Sequence, residues 1–424
     1  MNKENVSRRV FLGGTITAAA TGALMGASRS AVAAEATDQP APAVQAPVES
    51  KRKIKLGVVG LGGRGAWLAG LFRGHGGYDI HAVADYFQHV ADGQGNALGV
   101  DASRRFSGLS GYKKVIESGV EAIVIIDVPY FYPEQTQAAV DAGLHVYMAK
   151  PVAVDVPGAL SIGASGKAAT QKKNVFLVDY QMPTDPLNIE VSKRIAAGGL
   201  GALQTIFSNG AAGGAGSDDP PLTANIESRL QGLIWVNDSA LGGGNHVNFD
   251  IHIVDAVLRA VGRVPVAAYG WGARFRPDPH GDSMDTTCLM LEFGDGMVWN
   301  HQSPKGTSDA WFSSNGALVA EFQGSAACAR LSYWGKSFVR GGTQHFGGGT
   351  VENLYDAGAV RNIATFYDAI TKGDVSNATI QPAVDSVLTC ILGREVAIRH
   401  GKMTMAELLN ENKKLEVDLK GLKV

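Results

Sequence analysis

The sequence predicts an α/β Rossmann domain, a doubly wound parallel sheet, followed by an α+β domain with an open, mostly antiparallel sheet. Three observations lead there. A short β-rich run, Lys53–Val59, passes directly into Gly60-Leu61-Gly62-Gly63-Arg64-Gly65 and then into an apolar helical pattern. Strand-like and helix-like segments then alternate to about residue 180, which is the signature of parallel βαβ units. Beyond residue 200 the runs alternate apolar and polar residues, as strands of a half-buried antiparallel sheet do.

Composition narrows the classes. The chain has 424 residues, 38 Lys+Arg against 40 Asp+Glu, and a formal net charge of -2. That balance supplies no electrostatic drive toward nucleic acid or an anionic membrane surface. Only three cysteines occur, Cys288, Cys328 and Cys390, so neither a disulfide scaffold nor a multi-cysteine metal site is available. No metal cluster is expected.

The first residues carry an address. Ser7-Arg8-Arg9-Val10-Phe11-Leu12 precedes an Ala/Gly/Thr-rich apolar stretch to about Gly26 and then Ala31-Val32-Ala33-Ala34. Paired arginines, a short weakly apolar run and a small-residue cleavage site make a twin-arginine signal peptide over residues 1–34. Residues 35–52 are an Ala/Pro-rich linker. The apolar run is too short to span a bilayer stably, so no integral membrane segment is expected after removal of the signal. The expected location is the periplasm or another extracytoplasmic space.

In the first half, residues 53–180, each element has a role. The G-x-G-x-x-G glycines (Gly60, Gly62, Gly65) permit a tight turn, close approach of a pyrophosphate, and helix–strand packing. The helix that follows aims its amides and partial positive charge at the phosphates. Tyr78–Asp85 is a second strand, and Asp85 lies 20 residues after Gly65, where a carboxylate accepts from the adenosine ribose hydroxyls. Tyr86-Phe87-Gln88 follows with no basic residue, so NAD is expected in preference to NADP. Val120–Ile126 is a buried strand ending in Asp127-Val128-Pro129. A helix over 133–142 leads to strand Leu144–Met148 and then Ala149-Lys150-Pro151, with a helix over Val152–Gln171 and a strand at Val175–Val178.

The glycine fingerprint, the Pro-containing loop at Pro129, and Ala142-Gly-Leu-His-Val-Tyr-Met-Ala-Lys-Pro151 together resemble the Gfo/Idh/MocA oxidoreductase family. Gly242-Gly243-Gly244 followed by His252-Ile253-Val254-Asp255 is similar as well, and the resemblance covers about residues 53–415. It implies that Lys150, at the family's Glu-Lys-Pro position, lies at the nicotinamide and hydrogen-bonds the reacting hydroxyl, and that His252 is the general base. The implied cofactor-binding residues are Gly60, Leu61, Gly62, Gly63, Arg64, Gly65, Asp85, Pro129 and Lys150. The sequence departs from the family pattern at Ala149, where glutamate is usual, at Pro133, where many members have histidine, and at Asn248, where aspartate is usual. Asn248 is assigned to orient a sugar hydroxyl or the His252 tautomer, since it cannot ionise.

In the second half, residues 181–424, Val247, Ile251, Val254 and Leu258 form the apolar stripe of one amphipathic helix. On it Asn248, His252 and Asp255 share a face, Asp250 points elsewhere, and His246 is read as a surface or capping residue, with a first-turn active-site role as the other possibility. Strands are expected at Leu203–Ser208, Val264–Gly272, Thr286–Phe293, Met297–Gln302, Gly316–Gln323 and Ala329–Trp334, with helices near 186–199, 354–373, 380–400 and Met405–Leu409. The loop Asn209–Pro221 is read as a surface loop or a cover for the site. Trp235, Trp299 and His301 are read as core, with sugar stacking as the other possibility. An exposed sheet face would favour a homo-oligomer.

The resulting expectation is an exported NAD-dependent oxidoreductase acting on a hydroxyl of a carbohydrate or polyol. Free NAD is not expected outside the cytoplasm, so the cofactor would be held tightly and regenerated within one redox-neutral cycle. The alternatives are a simple sugar dehydrogenase and a non-catalytic NAD- and sugar-binding protein. The address makes its own prediction. With Arg8→Lys and Arg9→Lys combined, the precursor should accumulate in the cytoplasm, as read by cell fractionation; unchanged export would exclude the twin-arginine assignment.

Overall fold

The computed structural model describes residues 52–210, 225–232, 234–275, 281–305 and 317–424. All of them belong to one compact unit, Gln45–Val424. The predicted signal peptide and the 211–221 part of the predicted cover loop lie outside the described residues.

The first half is a six-stranded sheet with every strand parallel, ordered β3-β2-β1-β4-β5-β6. Its strands are β1 (Ile54–Val59), β2 (Tyr78–Asp85), β3 (Arg105–Ser107), β4 (Ala122–Ile125), β5 (His145–Ala149) and β6 (Phe176–Asp179). β4 and β6 are buried at every position, as strands covered by helices on both faces must be. The order reverses between β1 and β4, so the carboxyl ends of those strands open a crevice there. Helices Gly63–His75, Gln88–Leu98, Tyr132–Asp141 and Val156–Gln171 supply crossovers. Val156–Gln171 starts four residues later than the sequence pattern suggests. Asp155 sets that start by accepting from the amide of Gly158, with Pro157 in the first turn.

The second half is a nine-stranded sheet, ordered β14-β13-β12-β11-β7-β10-β9-β8-β15. In chain order the strands are β7 (Leu203–Asn209), β8 (Ala267–Ala273), β9 (Thr286–Glu292), β10 (Val298–Pro304), β11 (Val319–Gly324), β12 (Ala327–Ser332), β13 (Lys336–Gly341), β14 (Phe346–Thr350) and β15 (Lys402–Thr404). Only the central pair, β7 with β10, is parallel. Burial alternates along β9 and β10, so one face is covered and the other is open. Phe207, Trp271 and Met290 stand exposed on that open face. Four strands were not expected from the sequence: β3 in the first sheet, and β13, β14 and β15 in this one.

Two late helices tie the halves together. Leu354–Lys372 returns to the first half, where Ile363 and Phe366 join Leu56, Val58 and Phe72 in one apolar cluster. Ile380–Arg399 is buried along most of its length and packs on helices Val156–Gln171 and Ile251–Val261 and on β8. Residues far apart in sequence are therefore held around one cleft. No helix among the described residues is long and apolar enough to cross a membrane.

Candidate active site

The glycine turn between β1 and helix Gly63–His75 has the geometry its residues require. Gly60 has φ +91°, and a Cβ there would lie 2.5 Å from the Ile126 carbonyl oxygen. A Cβ on Gly65 would lie 2.0 Å from the Gly60 carbonyl oxygen, so the helix start and the turn touch backbone to backbone. Gly62 and Gly63, by contrast, have nothing within 4 Å of the Cβ position and line the cleft. The helix has no side-chain cap and no acid in its first turn. Its first amides are thus left for an anion.

Asp85 stands at the end of β2 and lines the same cleft. Its Oδ2 accepts from the amide of Leu61 (2.8 Å) and its Oδ1 from that of Phe87 (2.9 Å). Burial raises its pKa, and the two amides oppose the rise. Leu61 itself is buried, and Pro129 is buried in the turn after β4. Asp127, which the sequence reading passed over, lines the cleft too. It accepts from its neighbour Val128 and from Gln135 Nε2 (2.8 and 2.9 Å), and burial pushes its carboxyl up to about 6.

Arg64 turns from the helix start to an ion pair with Asp179 at the end of β6 (2.8 Å). Its guanidinium also lies over Trp67 and Tyr355, 5.4 and 5.1 Å from the ring centroids. The other oxygen of Asp179 accepts from Asn362 Nδ2 (2.7 Å). Burial would lower the Arg64 pKa, but Asp179 keeps the guanidinium charged.

Lys150, just past β5, donates through Nζ to the carbonyl oxygen of Asn248 (2.6 Å). Burial, reinforced by Arg64 and opposed by Asp179, brings its amine down to about 7. His252 lies in the same field: burial, then Lys150 and Arg64, hold its imidazole well below the usual range. His252 is flanked by Tyr333 and Tyr180, with ring centroids 5.4 and 6.4 Å away. Among the described residues, His252 Nδ1 and Asn248 Nδ2 are buried without a hydrogen-bond partner. The structure therefore brings Lys150, Asn248 and His252 together from the two halves.

The helix that carries Asn248 and His252 differs from the expectation of one continuous amphipathic helix. Gly243 and Gly244, at φ +85° and +80°, swing the chain round, and residues His246–Asp250 form one turn of π-helix before α-helix Ile251–Val261. Asp255, three residues after His252 in that α-helix, binds Arg259 Nε (2.8 Å) and Ser386 Oγ (3.2 Å). His246 is a further correction. It is buried, not on the surface, and its Nδ1 meets Asp250 Oδ2 at 2.6 Å.

That same oxygen meets His301 Nε2 (3.2 Å) on β10. Trp299 Nε1 donates to Ser208 Oγ (2.7 Å), and Ser208 Oγ lies 2.8 Å from His301 Nδ1. The ionised Asp250 can only accept, so His301 Nε2 carries the proton that it donates there; with the ring neutral, Nδ1 accepts from the Ser208 hydroxyl, whose oxygen accepts from the indole. Burial lowers the His301 pKa, consistent with a neutral ring. Burial alone would raise the Asp250 carboxyl; the His246 and His301 hydrogen bonds reverse this and hold it below its usual value. The three side chains bring their ligating atoms within 4.8 Å of one another, and the hydrogen bonds account for that arrangement. Trp299 and His301 are core residues, whereas Trp235 lines the cleft.

No protein-family model matches the sequence. Solved structures do resemble the fold. An aldose-aldose oxidoreductase from Caulobacter crescentus, complexed with glycerol, is 18% identical, with a TM-score of 0.64 over 83% of this chain and 100% of that one. A levoglucosan dehydrogenase, in complex with NADH and levoglucosan, is 15% identical, with a TM-score of 0.66 over 84% and 100%. A myo-inositol 2-dehydrogenase from Lactobacillus plantarum is 18% identical, with a TM-score of 0.65 over 83% and 99%. At these identities the likeness shows the fold, a Rossmann-type parallel sheet followed by a mostly antiparallel one.

The buried network yields a stability prediction. Asp250→Asn removes the acceptor charge on which His246 and His301 converge. It should lower the unfolding free energy by about 2–4 kcal/mol in urea titrations at pH 7, since charge-assisted hydrogen bonds are worth roughly 1.5–3 kcal/mol each.

Proposed function

We propose that this chain is an NAD-dependent oxidoreductase that oxidises a hydroxyl of a sugar, glycoside or polyol. The observation that carries the reading is Lys150. Its amine, lowered to about 7, stands at the carboxyl end of a parallel strand, in the field of Arg64 from the glycine turn and of the imidazole of His252. The residues fit a dinucleotide. Gly62 and Gly63 leave room at an uncapped helix start, and Asp85 presents a carboxylate at the end of β2. The orphaned Asn248 Nδ2 and His252 Nδ1 await polar partners. The resemblance to the Gfo/Idh/MocA family, the glycerol, NADH and levoglucosan held by two of the similar structures, and the inositol dehydrogenase among them support the same reading.

NAD, when bound, supplies the hydride acceptor. The chain's own residues manage the proton. Near neutral pH a deprotonated Lys150 keeps one N–H on the Asn248 carbonyl and turns its lone pair to the substrate hydroxyl. His252, held neutral, offers a second acceptor through Nδ1. Asn248 donates from its amide and fixes a neighbouring substrate oxygen. The Arg64–Asp179 pair keeps the cation that depresses both basic groups in place. A group poised near the working pH both takes and returns a proton efficiently. That suits a redox-neutral cycle in an exported enzyme with a retained cofactor. The exposed Phe207, Trp271 and Met290 suit self-association through the open sheet face.

The test is a pH–rate profile. A protonated Lys150 cannot accept the hydroxyl proton, so kcat/KM for oxidation should fall as pH drops through about 7. Lys150→Met should abolish that inflection and lower turnover by about 10²–10⁴-fold, and His252→Ala should lower it on a similar scale. Full turnover in both variants on an identified substrate would reject the assignment.

A further inference from the structure

The dinucleotide cleft is walled on one side by residues far from the Rossmann strands. Leu230, Gln231, Gly232 and Trp235 face the glycine turn and Asp85 across it. They follow the short helix Ile226–Arg229 and belong to the second half of the chain. By its place at the ends of β2 and β3, this is where the adenosine portion of a dinucleotide lies in such a sheet.

Tyr86 links that wall to the sheet. Its hydroxyl donates to Glu227 Oε1 (2.9 Å) and accepts from the amide of Lys423 (3.0 Å). The segment 413–424 returns from the far end of the molecule to make the second contact. Leu415 N donates to Asp155 Oδ2 (2.9 Å), Leu109 N to the Lys423 carbonyl (2.9 Å), and Lys423 Nζ to Ser107 Oγ (2.6 Å). Gly108 lies directly under this strap: a Cβ there would be 3.0 Å from the Val424 carbonyl oxygen. Between the wall and the strap, Leu422, Leu230 and Leu241 share one apolar cluster with Tyr86 and Val128.

We propose that residues 225–232 with 234–235, latched by Tyr86 and backed by the 413–424 strap, form a clamp that retains the cofactor at its adenosine end. This rests on the reading of the cleft as an NAD site. Leu230, Gln231, Gly232 and Trp235 are then cofactor-binding residues supplied by the second half. Release requires the Tyr86–Glu227 bond to break and the Leu422 cluster to open together, so dissociation is slow although the cleft reaches solvent.

The experiment measures NADH leaving the full-length protein, by the fall of bound-nicotinamide fluorescence on mixing with excess NAD. Two variants weaken the clamp without touching the glycine turn. Tyr86→Phe removes the shared hydroxyl but keeps the ring, and Leu422→Asp places a charge in the cluster. Each should speed release by about tenfold or more, with most of the affinity change in the off-rate. Thermal unfolding of the cofactor-free variants reports whether the fold is intact, and if Leu422→Asp unfolds, Tyr86→Phe decides alone. Release within about twofold of the unmodified protein would overturn the clamp, as would fast release from the unmodified protein itself. Failure of the unmodified protein to bind NADH at all would instead overturn the reading of the cleft, and the clamp with it.

Discussion

The arrangement depends on one buried amine. Lys150 sits where desolvation and the Arg64 guanidinium both disfavour its charge, and a single carboxylate, Asp179, opposes them. His252 shares that field, so a second base is held neutral by the same groups. Four elements must converge to maintain it: the end of β5, the start of helix Gly63–His75, the end of β6, and the π-helical turn at His246–Asp250. The last of these comes from the other half of the molecule. The contact of Lys150 with the Asn248 carbonyl therefore ties the two halves at the place where the chemistry is proposed.

The Asp250 network explains how a backbone carbonyl can be delivered there. His246 and Asp250 brace the π turn from within, and His301 fixes Asp250 to the central strands of the large sheet. With Asn248 in place of an acid, no carboxylate faces His252 from that position. The acid two residues later is committed to two other imidazoles. The chain thus separates a charged carboxylate, Asp250 held by His246 and His301, from a site whose basic groups are held below their ordinary range.

Local signals made the first half legible. A glycine turn between a strand and a helix, and an acid ending the next strand, reflect constraints within about thirty residues, and β1, β2 and Asp85 stand where the pattern placed them. Lys150 and His252 were found through a resemblance, not by periodicity. What stayed hidden depends on distant partners. The apolar stripe Val247-Ile251-Val254-Leu258 fits a continuous α-helix, and nothing local announces a π turn whose brace includes His301 on β10. Asp127 ends a buried strand in plain view, but only the closing of the cleft around it gives it a role. β14 reads Phe-Gly-Gly-Gly-Thr and has no alternation to detect, and β15 is only three residues long. The wall at 225–232 and 234–235 and the strap at 413–424 carry no motif, because each is defined by packing against Tyr86 across the fold.

The central claim is that the Lys150 amine titrates near neutral pH. Its ionisation can be measured directly by reductive ¹³C-methylation of the lysines and NMR titration of the resolved signals, with Lys150→Arg identifying the resonance. The account predicts a Lys150 signal that titrates near 7, well below a free lysine. A Lys150 signal that titrates at the ordinary value near 10.5 would contradict it.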